Sequence, residues 1–264
     1  MRGTENRSAD RWFRRVKRCP NPRVRIICFP HAGGAASFFR SWAEFVPDDV
    51  ELIAVRYPGR EDRLLDPLAE TMEELADPIA DGCSQFLDAP LALFGHSMGA
   101  SVAYEVAVRL QAEHGADLAG LFVSGRSGPG REKRRSFAGA TDDELIEDVG
   151  LQGGTDAQAF ANPELRGLIL PVIRADYRLV DGYQAPTSRA PLDTPVVAYY
   201  GNEEAELDRD SVAAWSSVTG STFTLRAFDG GHFYLVGHRQ ELLAHLLASL
   251  GHGPATATGT TRPL

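Results

Sequence analysis

The chain has 264 residues, 43% apolar and 24% charged, with a formal net charge of −9, which suits one large globular domain or one domain with an insertion. The negative balance argues against nucleic-acid partners, no apolar stretch is long enough to cross a bilayer, and three scattered cysteines (Cys19, Cys28, Cys83) argue against a disulfide framework. With a charged N-terminus and no signal-peptide core, the expectation is a cytoplasmic monomer with reduced thiols, no membrane contact and no metal site.

Residues 1–10 read as a disordered N-terminus, and Arg11 to Arg18, with Trp12, Phe13 and Val16, as a short edge strand. Residues 1–25 hold nine Arg/Lys against Glu5 and Asp10, and a second basic cluster joins Arg131, Lys133, Arg134 and Arg135 near Arg126. Both are either solvated surface or a docking patch for an acidic partner. Val24 to Phe29 is a β-branched strand that runs into the glycine-rich loop Pro30-His31-Ala32-Gly33-Gly34. Such a loop brings bare backbone amides close to a ligand. Phe38 to Val46 has a helical pattern, Glu51 to Arg56 is the next strand, and Tyr57-Pro58-Gly59-Arg60 is a turn-rich loop. Glu73 to Leu87 has helical spacing, with a kink expected at Pro78.

Leu91 to Phe94 is an apolar strand, and Ser101 to Leu110 is helical. Between them stands Gly95-His96-Ser97-Met98-Gly99, the G-x-S-x-G nucleophile elbow. Its serine needs a strained turn, and its glycines leave room where a Cβ would strike neighbouring backbone. Leu118 to Gly125 is a further strand.

From Arg126 to about Pro191 the strand–helix rhythm breaks. Thr141-Asp142-Asp143-Glu144 reads as a capping box, and Asn162-Pro163-Glu164 as a second helix start. The second helix sets Leu165, Leu168, Ile169, Val172, Ile173, Leu179 and Val180 at helical spacing, interrupted at Pro171. About sixty residues inserted between two strands read as a lid whose apolar face lines a substrate chamber. Strands return at Pro195 to Gly201 and Thr222 to Phe228, with residues 208–219 helical between them and a last helix from Arg239 to Leu250.

The alternation predicts an α/β fold, a mainly parallel central sheet covered by helices on both faces. The division is 11–125 and 192–250 as an α/β-hydrolase core, 126–191 as a helical lid insertion, and 251–264 as a disordered tail. Ser97, the Ala32 loop, the acidic run 202–208 and His232 all follow strand ends, where parallel sheets place their chemistry.

A serine hydroxyl needs a base, and the order Ser, acid, His is that of the α/β-hydrolases. His232, after two glycines beyond the last strand, is placed to be that base. His31 and His96 read as structural neighbours. Glu204, three residues past Gly201, is the favoured acid, with Asp208, Glu206 and Glu203 left open and Asp208 and Asp210 also suited to cap the next helix. The backbone amides of Ala32 and Met98 are the expected oxyanion hole. The set describes acyl transfer to Ser97 and then to water, and does not distinguish a thioester from an ester.

These motifs together resemble the type II thioesterases associated with polyketide and nonribosomal peptide synthases. The resemblance spans about residues 11–250 and rests on Phe29 to Gly34, Arg56-Tyr57-Pro58-Gly59-Arg60, the elbow, Gly230 to Leu235, Trp12-Phe13, and Leu170-Pro171 with Asp176-Tyr177. It implies an editing enzyme that removes aberrant or stalled acyl groups from the phosphopantetheine arm of acyl or peptidyl carrier proteins, with no cofactor of its own. It departs from the family at the acid, where Gly-x-x-Asp is usual and Gly201-Asn202-Glu203-Glu204 stands here. Three other readings remain: a small-molecule carboxylesterase or lipase, a chain-releasing fatty acyl thioesterase, and a non-catalytic scaffold.

Overall fold

The computed structural model describes residues 11–132, 137–153, 160–186 and 188–251. Apart from Gly251, the two ends expected to be disordered lie outside the described residues, as do Lys133, Arg134, Arg135 and His252.

Seven strands form one sheet: β1 (Phe13–Lys17), β2 (Val24–Phe29), β3 (Val50–Val55), β4 (Leu91–His96), β5 (Leu118–Ser124), β6 (Val196–Gly201) and β7 (Phe223–Phe228). Their spatial order is β1-β3-β2-β4-β5-β6-β7, parallel throughout except for β1, which pairs antiparallel with β3 at the edge. This is the mainly parallel sheet expected from the alternation of elements and the α/β-hydrolase core that the resemblance implies. Strands β2, β3, β4 and β6 are buried at every residue, which is why they read as mainly apolar runs, with Arg25, Glu51 and His96 as buried exceptions. Alternate side chains feed opposite faces. Ile27, Phe29, Leu91 and Leu93 enter one core with helices α1 (Met72–Cys83) and α2 (Met98–His114). Ile26, Cys28, Ala92 and Phe94 enter the other, with Phe39, Trp42 and the last helix.

The segment expected as a helix at 38–46 is a 3₁₀ helix, Ala36–Glu44. Its buried residues, Ala36, Phe39 and Trp42, recur every three positions, and the Phe39 and Trp42 rings meet edge to face at 4.9 Å. That spacing matches three residues per turn, not 3.6.

Between β5 and β6 lie α3 (Asp142–Gln152) and α4 (Pro163–Gly182). Thr141 and Glu144 complete the capping box, and Asn162 caps α4 by accepting from the amides of Glu164 and Leu165. The two helices share a small core of Leu145, Val149, Leu170, Ile173 and Tyr177. The interruption expected at Pro171 does not occur: α4 runs through it. Pro171 and Gly167, whose carbonyl loses its donor, both lie on the exposed side, where solvent can reach that carbonyl. Further on come α5 (Arg209–Ala213), the single turn α6 (Tyr234–Gly237) and α7 (Arg239–Ser249). Among the described residues no helix is long and apolar enough to cross a membrane.

Several cations of the basic N-terminal segment are paired within the fold. Arg14 reaches Glu61 at 2.8 Å and Asp62 at 3.3 Å, Arg15 and Arg25 both meet the fully buried Glu51, and Lys17 bonds Asp48 at 2.9 Å and the Val46 carbonyl at 2.7 Å. These charges fasten the edge strand to the sheet.

Candidate active site

The parallel strands deliver their C-terminal ends to one edge. Phe29 of β2 pairs with Gly95 of β4, where the chain reverses direction across the sheet. Ala32 and Ser97 therefore leave neighbouring strands side by side. Ser97 sits at φ 55°, one of two non-glycine residues with positive φ among the described residues. That conformation needs surroundings that enforce it. Both flanking glycines supply the fit: a Cβ on Gly95 would lie 2.0 Å from the Gly99 carbonyl oxygen, and one on Gly99 would lie 2.1 Å from that of Phe29. Met98 opens α2, so its amide is one of the N–H groups a helix leaves without an internal partner.

His232 follows β7 through Gly230 and Gly231. The turn is close-packed, since a Cβ on Gly201 would fall 2.3 Å from the carbonyl oxygens of both glycines. His232 Nδ1 and Glu204 Oε1 are 2.7 Å apart, and both side chains are about nine-tenths buried. A carboxylate in that position makes Nδ1 the donor and leaves Nε2 with its lone pair. Nε2 is buried and makes no hydrogen bond, which leaves it open to a proton from a neighbour in the cavity. Ser97, Ala32, Glu204 and His232 all line one chamber that opens to solvent.

Of the competing carboxylates, Glu206 also lines the chamber. Asp208 caps α5, accepting from the Ser211 amide at 2.7 Å, and Glu203, Glu206 and Asp210 are exposed. Tyr177, Val180 and Asp181 of α4 face the chamber together with Phe137. The first half of α4 does not: Leu165 and Leu168 are 44% and 49% exposed, a correction to the expectation that the whole apolar stripe would line it. The grouping among the described residues with a spacing suited to a cation is Asp81, Glu113 and His114, all exposed and none lining the chamber.

Two features escaped sequence reasoning. One is a buried chain beneath the elbow, in which His96 Nδ1 meets Ser124 Oγ at 2.9 Å and that hydroxyl meets Tyr234 OH at 2.7 Å. The His96 ring lies 4.8 Å from that of His232. The other is an ion pair between Arg60 and Asp176. Both join residues far apart in the chain, and no local pattern marks them.

Burial, with His232 close by, pushes His31 down to about 3 and His96 well below the usual imidazole range. Both are neutral when folded and gain a proton on unfolding. Between about pH 6.5 and about 3 the unfolded chain thus binds more protons, so stability falls on acidification. Between pH 6.5 and 5, above the carboxylate range, the expected slope rises from about half of 1.4 kcal/mol per pH unit toward about 1.4 for each imidazole. Urea midpoints across that interval measure it, and His31→Asn should flatten the trend.

The sequence model of the family described as "Thioesterase domain" matches residues 24–250. The chain is 39% identical over 245 residues to thioesterase PikA5 of Streptomyces venezuelae, covering 91% of this chain and 87% of that one. Among solved structures it is similar to the type II thioesterase BorB from the borrelidin biosynthetic cluster, at TM-score 0.84 and 36% identity over 91% of this chain and 98% of that one. It is also similar to RedJ, the thioesterase of the prodiginine pathway in Streptomyces coelicolor, at TM-score 0.80 and 38% identity over 86% of each chain.

Proposed function

From the premise that this chain belongs to the thioesterase domain family and hydrolyses thioester bonds, we propose that it is an editing type II thioesterase. Its substrates are aberrant or stalled acyl groups on the phosphopantetheine arm of acyl or peptidyl carrier proteins. The similarity to a type II thioesterase from a biosynthetic cluster supports that substrate class. The observation that carries the mechanism is the 2.7 Å contact between His232 and Glu204, which fixes the imidazole tautomer in a chamber that Ser97 also lines.

In this mechanism His232 Nε2 takes the Ser97 proton as Oγ attacks the thioester carbonyl. The new oxyanion is held by the amides of Ala32 and Met98, a term worth about 10²–10³ in rate for each donor. His232 then protonates the departing thiolate of the carrier arm, and the acyl group rests on Ser97. Water, deprotonated by the same Nε2, attacks the acyl-enzyme and releases the free acid. Glu204 stays ionised throughout and stabilises the imidazolium.

Comparing a carrier-bound thioester with a soluble ester of the same acyl group tests the reading. The expected result is a kcat/KM at least tenfold higher for the carrier substrate. Equal efficiency on the ester would replace this proposal with a general carboxylesterase.

A further inference from the structure

Two stretches behind the family resemblance, Arg56 to Arg60 and Asp176-Tyr177, take no part in the proton transfers above, yet the fold joins them at the oxyanion loop. Arg60 grips the Asp176 carboxylate with both terminal nitrogens, Nη1 to Oδ2 at 2.7 Å and Nη2 to Oδ1 at 2.9 Å. The same Oδ2 accepts the Gly33 amide at 2.7 Å, next in sequence to the amide of Ala32. Arg60 also donates to the Gly34 carbonyl and to that of Pro58, each at 3.0 Å. Both side chains of the pair are more than nine-tenths buried. Asp176 belongs to α4, and Ile173, one turn earlier on the same face, closes on the same glycine: a Cβ on Gly33 would lie 2.8 Å from Ile173 Cγ1. Gly33 stands at φ 74°, so its plain backbone is needed both for conformation and for contact.

We infer that Arg60 and Asp176 are positioning residues that clamp the His31–Gly34 loop to the lid helix and so hold the Ala32 amide aimed at the forming oxyanion. Donors stabilise a transition state most when they need no reorientation at the moment of reaction. Gly33 is fastened through its N–H and Gly34 through its C=O, which leaves the Ala32 peptide little freedom to turn. Because one carboxylate on α4 does the fastening, the seating of the lid and the readiness of the oxyanion hole are one event. An ion pair that served stability alone would not also bond the loop backbone at Gly33 and Gly34, the latter donating its own N–H at 2.9 Å to the His31 carbonyl of the Ala32 peptide.

The inference rests on the thioesterase mechanism proposed above, and two readouts separate the failure of one from the failure of the other. The first is amide hydrogen exchange over residues 31–34 in wild type and Asp176→Ala, which needs no substrate. The expected result is at least tenfold faster exchange at Gly33, and unchanged exchange overturns the clamp. The second is turnover of an acyl-N-acetylcysteamine thioester. Asp176→Ala should lose about 10–100-fold in kcat, less than the loss of a whole donor, with KM within about threefold. Inhibition by an alkyl trifluoromethyl ketone, whose adduct with Ser97 places an oxyanion in the hole, should weaken by the same factor. A rise in KM alone, or undiminished ketone affinity, overturns the assignment. Wild type inert toward every thioester would instead sink the mechanism, with exchange still deciding the clamp. If Asp176→Ala does not fold, Arg60→Lys keeps a cation beside the carboxylate, loses the two-pronged grip, and gives both readouts at smaller amplitude.

Discussion

Ser97→Ala lowers kcat for thioester hydrolysis by about five to six orders of magnitude while leaving the fold as stable as wild type. The size follows from removing the nucleophile of a unit whose members act together, with only binding and the oxyanion donors left to help water. The unchanged stability has a separate cause. Ser97 occupies the N-cap position of α2, where a serine-to-alanine change ordinarily costs about 1 kcal/mol. Here the side chain makes no cap hydrogen bond, so that contribution is absent from the start. Alanine meets the same positive φ as serine, and the strain at 55° is carried over unchanged. Single-turnover hydrolysis beside a urea titration measures both halves. More than about 1% residual activity would remove Ser97 from the mechanism.

Glu204→Gln should cost about 10³–10⁴ in kcat, more than its small change in shape suggests. The amide nitrogen of glutamine donates to Nδ1, which moves the imidazole proton to Nε2 and blocks the atom that must accept from Ser97. Glu204→Asp keeps the charge one methylene short of the present 2.7 Å contact and should retain more activity than the amide. Asp208→Asn provides the contrast: asparagine caps α5 about as well as aspartate, and the change leaves kcat within twofold. Steady-state kinetics on one thioester across the three variants decides the matter. A deeper loss from Asp208→Asn than from Glu204→Gln would reassign the acid.

The acid shows where sequence reading stopped. Four carboxylates at 203, 204, 206 and 208 follow β6 within six positions. Spacing alone favours Glu204 without excluding the others, because the decision depends on where a flexible side chain ends relative to an imidazole 28 residues on. The fold brings Glu204 to 2.7 Å from His232 Nδ1 and gives the Asp208 carboxylate to the Ser211 amide of α5. The N-terminal bases teach the same lesson: their surplus is visible in the sequence, whereas their partners at Asp48, Glu51, Glu61 and Asp62 are brought near only by strand pairing.

By itself the sequence determined what short-range physics governs. Apolar runs specify buried parallel strands, the Gly95–Gly99 pattern specifies a turn that tolerates no Cβ, and Thr141 with Glu144 specifies a helix start. Each outcome depends on residues within about one helical turn or one strand length. Only the tertiary structure decided the 3₁₀ winding at Ala36–Glu44, the half of α4 that faces the chamber, and the union of Arg60 with Asp176 across 116 positions. Those depend on how distant elements close on one another, where burial turns a pairing that is weak in water into one that fixes a backbone.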